Sequence, residues 1–393
     1  MRRVSVFGST GSIGCNTIDL LMRQGGADTY DVVALSGGNN IDLLAQQAKA
    51  LRAKVAVTAN PKNLKDLQQA LEGTDILASA GSKALAEAAH HPTDWTMSAI
   101  GGIAGLEPGL ISLRHGGILA LANKESLVAA GPLMLATAKA HNATILPVDS
   151  EHSAIFQALG HEDISRVSRM ILTASGGPFR NWSYAQMTAA TPEMALAHPN
   201  WEMGQMISVD SASMFNKALE MIEAKEFYQV SPDKIEVIIH PQSIVHSLVG
   251  FVDGTLLAHM GAPDMRFAIG YALNWPDRRD LPIENLDLAS LSRLDFEAPD
   301  ENRFPAIRLA RLVMRQGGLS GTVFNAAKEV AYEAFMAGQI SFTGMADFVE
   351  NALETADIHG DLKSNTIDLH KVQAVDKVTR IKTNEAIQLR NAS

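Results

Sequence analysis

The feature that most limits what this chain can fold into is the alternation in its first 149 residues. Short apolar runs, Val4 to Phe7, Val32 to Leu35, Lys54 to Thr58, Ile76 to Ser79, Thr96 to Ile100, Ile118 to Ala122 and Thr144 to Val148, are separated by longer amphipathic stretches such as Ile41 to Leu51 and Ser126 to His141. Strands that are apolar throughout must be covered on both faces, and helices between them supply the cover. The pattern predicts a doubly wound parallel sheet over residues 1–149.

The pattern then changes. From 150 to 275 it predicts an α+β domain: a strand at Arg169 to Ala174, a Pro-containing stretch from Thr191 to Gly204, a helix from Ser213 to Lys225, and strands over Glu236 to His240 and Ser243 to His259. The turn signal Val252-Asp253-Gly254-Thr255 between apolar runs predicts an antiparallel hairpin. Residues 276–300 read as a crossing linker. Phe304 to Gln316, Thr322 to Ala337, Phe342 to Ala356 and His370 to Gln388 then predict a C-terminal helical bundle over 301–393.

Charge narrows the partners. With 33 basic and 43 acidic residues the net charge is −10, which argues against a nucleic-acid surface and leaves small molecules. Cys15 is the single cysteine, so no intrachain disulfide forms and a reducing compartment is expected. The first strand begins at about Arg3 and no apolar run is long enough to span a bilayer, so the expected location is the cytoplasm, with no leader peptide and no membrane partner.

Three groups of residues carry chemistry. "VSVFGSTGSIG" ends the first strand and opens a helix, with Gly8, Gly11 and Gly14 allowing a tight turn and a close backbone approach. A pyrophosphate can sit on such a helix N-terminus, so the motif points to a dinucleotide. An NAD site usually has a carboxylate after the second strand; here Ser36, Gly37, Gly38, Asn39 and Asn40 follow, which favours NADP. The second group is acidic. Asp149 and Glu151, read as continuing the last strand, would point to one side and repel each other unless a cation intervenes. With Ser213 as a helix cap, Asn216, Lys217 and Glu220 share a face, and three carboxylates with open positions suit Mg²⁺ or Mn²⁺. A solvated acid pair fits the spacing of Asp149 and Glu151 as well, and His152 reads as a packed or hydrogen-bonding histidine rather than a ligand. The third group binds anions: Ser175-Gly176-Gly177 after a strand is a phosphate-binding turn or a plain one, and His198, Ser211, Asn216 and Lys217 add donors. Trp201 and Met203 lie between Pro199 and Gly204, in a stretch (about 191–204) suited either to a mobile lid or to burying the indole in the core.

Together "GSTGSIG", "LANKESLV", "PVDSEHSAIFQ", "LTASGGPF", "ISVDSASMFNKALEMIEA" and "HPQSIVHS" resemble the 1-deoxy-D-xylulose 5-phosphate reductoisomerase family, in family order over residues 8 to 247. The resemblance implies a Rossmann-like N-terminal domain, a catalytic α+β domain and a helical tail. It also implies NADPH- and divalent-metal-dependent conversion of 1-deoxy-D-xylulose 5-phosphate to 2-C-methyl-D-erythritol 4-phosphate, by a retro-aldol and aldol rearrangement followed by hydride transfer. Asp149, Glu151 and Glu220 would hold the metal, and Lys124 and Ser150 would contact the substrate's polar backbone. Ser175, His198, Ser211, Asn216 and Lys217 would surround the substrate, chiefly its phosphate. Trp201 and Met203 would form the flap. Gly8, Thr10, Gly11, Ser12, Ile13, Gly14, Gly37, Gly38, Asn39, Asn123, Glu125 and Gly204 would line the NADPH site. The proton-transfer base stays open among Lys124, Glu151 and a metal-bound water. A homodimer is implied too, with Ser243 to His259 offering an edge for pairing. The sequence departs from the family at Gly38, where a basic residue is frequent, and at Met206, Phe215 and Ala218, where Lys, Met and Gly are common. Two other readings compete. A semialdehyde dehydrogenase needs a cysteine nucleophile beyond the first domain, which is missing. A non-catalytic NADP-sensing protein of the same fold would have no use for the acidic trio.

Overall fold

The computed structural model of the protein describes residues 1–201, 203–356 and 367–392. Residue 202 of the expected lid, and residues 357–366 and 393 of the expected helical domain, lie outside them. Contacts divide the chain into two compact units, which are not linear segments. The first comprises Met1–Ser126, Met134–Ser153 and Asp264–Glu284; the second comprises Leu127–Leu133, Ala154–Pro263 and Asn285–Ser393.

The first unit is built on the expected sheet. Its strands are β1 (Arg2–Phe7), β2 (Tyr30–Gly37), β3 (Val55–Thr58), β4 (Leu77–Ala80), β5 (Trp95–Ser98), β6 (Ile118–Leu121) and β7 (Thr144–Pro147). All pair in parallel, in the order β4-β3-β2-β1-β5-β6-β7. The chain winds outward from β1 to β4, then returns to start again at β5 on the other side of β1. That reversal opens a crevice at the carboxyl ends of β1 and β5, where ligands of such sheets bind. Val4, Val6, Ala34, Leu35, Trp95 and Met97 are wholly buried, as strands covered on both faces require. The helix Arg266–Asn274 belongs here: the Trp95 indole N–H donates to the Ala272 carbonyl at 3.0 Å. Residues 264–284, read from the sequence as second domain and linker, therefore pack with the first unit.

The second unit carries β8 (Val167–Ala174), β9 (Ile235–Ile239), β10 (Val245–Phe251) and β11 (Leu256–Met260) in the order β11-β10-β8-β9. β8 and β9 are parallel; the β10–β11 pair is the predicted hairpin, closed by a bond from Phe251 N–H to Thr255 C=O at 2.9 Å. Its edge strand β11 leaves Leu256, Leu257 and Met260 exposed. The predicted helices appear as Ala306–Gln316, Ser320–Met336, Gly344–Thr355 and Leu369–Ala392. The stretch Leu127–Leu133 joins this unit within the helix Lys124–Ala140, which kinks at Ala130. Pro132 removes the N–H that would bond the Val128 carbonyl, and Thr322 Oγ1 donates to the neighbouring Ala129 carbonyl at 2.7 Å.

Candidate active site

In the first unit β1 runs into the turn Gly8–Gly11 and the helix Ser12–Arg23. Gly8 has φ +92°, and a Cβ there would lie 2.4 Å from the Ala99 carbonyl oxygen; one on Gly14 would lie 2.1 Å from the Gly8 oxygen. Only glycine lets the helix start so close under the turn. Gly11 supplies no side-chain cap, so the first-turn N–H groups of Ser12 and Ile13 suit an anionic ligand. Thr10 lies against Gly37 at the end of β2. Asn123 caps the next relevant helix: its Oδ1 accepts from Ser126 N–H at 3.0 Å, and its Nδ2 donates to the Gly102 carbonyl and to Glu125 at 2.9 and 3.0 Å. The loop after β5 is thus tied to the start of Lys124–Ala140.

The acidic pair is not on a strand. β7 ends at Pro147, Asp149 precedes the helix Ser150–Leu159, and Glu151 sits in its first turn. The helix starts at once because Ser153 N–H bonds the Asp149 carbonyl at 2.8 Å, and two acids at a helix N-terminus are favoured by its dipole. Both elements begin at the carboxyl ends of the adjacent strands β6 and β7, which brings Lys124 into an ion pair with Asp149, both side chains buried. Burial alone raises the Asp149 carboxyl; the Lys124 ammonium, and His152 after it, outweigh that and hold it well below the usual carboxylate range. Ser150 Oγ donates to Glu151. His152 is buried.

In the second unit β8 leads into Ser175-Gly176-Gly177. Gly177 has φ +63°, and a Cβ there would lie 3.0 Å from Ala212 Cα and from the Ser211 oxygen, so the turn lies against the helix Gln205–Ala212 that carries Ser211. Backbone N–H groups of Asn200 and Trp201 donate to His198 Nδ1 at 3.2 and 3.0 Å. That leaves Nε2 as the N–H end, which donates to Ser175 Oγ at 2.9 Å. Burial lowers the His198 pKa, in keeping with a neutral ring. Gly177 N–H also donates to Ser175 Oγ at 3.2 Å, so the serine accepts from both neighbours and gives its own proton to neither. Trp201 is half-buried, with its ring edge-on to His246 at 6.4 Å, rather than a core residue. Met203 is half-buried, and Gly204 is exposed at the N-cap of Gln205–Ala212.

Ser213 is not the cap expected from the sequence. It ends Gln205–Ala212, its hydroxyl donating to the Val209 carbonyl at 2.7 Å; Met214 then turns left-handed at φ +63°, and the next helix is Phe215–Tyr228. Asn216, Lys217 and Glu220 share a helix face all the same. Asn216 Nδ2 donates to Glu220 Oε1 at 2.6 Å, and Lys217 pairs with Glu220, both wholly inside. Asp149, Lys124, Ser150 and Glu151 thus belong to the first unit, and Ser175, His198, Ser211, Asn216, Lys217 and Glu220 to the second.

Three family models match the chain. One for 1-deoxy-D-xylulose 5-phosphate reductoisomerase matches residues 4–131, one for its C-terminal domain matches 145–228, and one for the DXP reductoisomerase C-terminal domain matches 260–382. A 1-deoxy-D-xylulose 5-phosphate reductoisomerase of Ruegeria pomeroyi is 58% identical over 390 residues, covering 99% of this chain and 98% of that protein. The chain belongs to the 1-deoxy-D-xylulose 5-phosphate reductoisomerase family. Among solved structures, the Zymomonas mobilis reductoisomerase in complex with NADPH is 46% identical with a TM-score of 0.91, covering 98% of this chain and 99% of that one. A DOX-P reductoisomerase in complex with NADPH, fosmidomycin and magnesium is 39% identical with a TM-score of 0.94, covering 99% of each chain.

One reductoisomerase residue pair was missed in the sequence. Lys328, on Ser320–Met336, pairs with Asp210 at 2.7 Å with both side chains buried, directly beside Ser211. The signal was a lysine in the largely apolar helical stretch from Val323 to Val330, which also holds Asn325 and Glu329, but nothing local named a partner 118 residues away.

Proposed function

We propose that this chain converts 1-deoxy-D-xylulose 5-phosphate to 2-C-methyl-D-erythritol 4-phosphate with NADPH and a divalent metal. The observation that carries the reading is likeness over nearly the whole chain to a reductoisomerase bound to NADPH, fosmidomycin and magnesium. Asp149, Glu151 and Glu220 would hold Mg²⁺ or Mn²⁺, and they fit it: all offer hard oxygen, Lys124 keeps Asp149 ionised, and Asn216 and Lys217 orient Glu220. Held there, the metal polarises the substrate ketone as a Lewis acid. The turn Gly8–Gly14, with Thr10, Ser12 and Ile13, would bind the NADPH pyrophosphate, and Gly37, Gly38, Asn39, Asn123, Glu125 and Gly204 would line the rest of that site. NADPH supplies the hydride for the final reduction.

The chain's own groups bind and orient the sugar phosphate. Ser175 directs its hydroxyl proton to a phosphate oxygen because His198 and Gly177 already donate to its lone pairs. Ser211, Asn216 and Lys217 complete the phosphate donors, and Lys124 and Ser150 bond the hydroxyls of the carbon skeleton. Lys124, Glu151 and a metal-bound water are the groups able to move the proton. Trp201 and Met203 cover the substrate and exclude water. Pairing of the exposed β11 edge between two copies would give a homodimer. No helix among the described residues is long and apolar enough to cross a membrane; with Cys15 as the single cysteine, we place the protein in the cytoplasm. The test is NADPH oxidation followed by absorbance with 1-deoxy-D-xylulose 5-phosphate, with and without Mg²⁺. Metal-dependent turnover is expected, and its absence refutes the reading.

A further inference from the structure

Resting on the NADPH reading, we propose that Asn60, which lies outside every motif above, is a positioning residue that selects NADPH over NADH by fixing the orientation of the Asn39 carboxamide. One backbone group fixes the direction of the whole chain of bonds, because an N–H can only donate. The backbone N–H of Lys62 donates to Asn60 Oδ1 at 3.1 Å, so Asn60 must present its NH₂ on the other side. That Nδ2 donates to Asn39 Oδ1 at 3.0 Å, and Asn63 Nδ2 donates to the same oxygen at 3.2 Å. An amide has one oxygen and one NH₂ on opposite sides. Two donors on the Asn39 oxygen therefore turn its NH₂ away from the loop, at an exposed position just beyond β2. The loops are pinned to each other as well: Thr58 Oγ1 donates to the Gly38 carbonyl, and Ala59 N–H to the Gly37 carbonyl, each at 2.8 Å.

Orientation matters here because charge is missing. The cavity beside the turn is lined by neutral and acidic residues, Asn39, Asn40, Asp42, Asn63 and Asp66 among them, and by no Lys or Arg. A 2′-phosphate accepts hydrogen bonds and meets a donor in the held orientation. A flipped Asn39 would face it with a carbonyl oxygen, which repels phosphate but accepts from the 2′-hydroxyl of NADH. Asn60, with Asn63 on the same oxygen, thus sets the sign of the preference through Asn39, and its bond is the shorter of the two.

The test is binding of NADPH and of NADH, titrated separately against the full chain and against Asn60→Ala and Asn60→Asp. These titrations need no turnover, so they judge this inference even if the proposed reaction fails. Asn60→Ala should weaken NADPH binding by about tenfold, the worth of a hydrogen bond to a charged group, and leave NADH within about twofold. Asn60→Asp should lower the NADPH-to-NADH ratio further, since a carboxylate has no donor for Asn39. If turnover is present, the effect should fall on the KM for NADPH and not on kcat. An unchanged ratio in Asn60→Ala overturns the proposal, and so does equal weakening of both dinucleotides, which marks a purely structural role.

Discussion

Replacing Lys328 with Met tests whether the helix bearing Ser211 is anchored from behind. The Lys328 and Asp210 side chains are 1% and 6% exposed and 2.7 Å apart. Methionine keeps most of the lysine's length and volume, so the cavity contribution is small. What remains is a buried carboxylate without its counter-charge, a loss of about 3–5 kcal/mol. At roughly 2–4 °C per kcal/mol for a large domain, the unfolding midpoint should fall by about 10 °C. Removing the second charge reverses the logic: Lys328→Met with Asp210→Asn leaves no orphaned ion, and most of the stability should return. Urea or thermal unfolding of the two single variants and the double variant closes the cycle. Function should follow the same order. Gln205–Ala212 sits against Gly177 and presents Ser211, so Lys328→Met should raise the KM for the sugar phosphate more than it weakens NADPH binding, to which this helix offers only Gly204 at its N-cap. A single variant within 1 kcal/mol of the parent, or a double variant no more stable than the single, would refute the anchoring argument.

Three further perturbations bear on the site. Glu220→Gln should lower turnover on the order of 100-fold while leaving NADPH affinity nearly intact; equal loss of both in parallel binding and rate measurements counts against the metal assignment. Gly38→Lys restores the basic residue frequent in the family at a position where a Cβ meets no heavy atom within 4 Å; it should raise the NADPH-to-NADH ratio of kcat/KM about tenfold, and a lower ratio would contradict the placement of the 2′-phosphate. Burial, and then His259, push the His246 pKa down to about 4, so the unfolded chain takes up a proton at His246 first as pH falls. Its contribution is whole above about 6.5 and is lost on the way down to 4, about 3 kcal/mol in all; pH-dependent unfolding of His246→Gln should lack that slope.

The first sheet was legible because its strands are short, mainly apolar runs and longer amphipathic stretches separate them, two signals carried by neighbours in sequence. Within the site the same holds for Asn216, Lys217 and Glu220: helix geometry sets their separation, so the Asn216–Glu220 bond and the Lys217–Glu220 pair follow from offsets of four and three even though Ser213 is not the cap. The Asp149 and Glu151 reading went astray on a boundary. Alternation applies to Asp149 and Glu151 only on a strand, and β7 stops at Pro147, so the acids follow the geometry of the helix that starts at Ser150 instead.

Other features had no local signature. Residues 264–284 join the first unit partly through a bond from Trp95 to a carbonyl 177 positions on. Asn60 reads as an ordinary turn residue until its amide is seen bonded to Asn39. Lys328 marks the difference between detecting an anomaly and explaining it. Every residue from Ser320 to Ala331 is buried, so a lysine among them needs a carboxylate, because an unpaired ammonium there costs several kcal/mol. Hydropathy locates the need, but only the packing of Ser320–Met336 beside Gln205–Ala212 identifies Asp210 as what meets it.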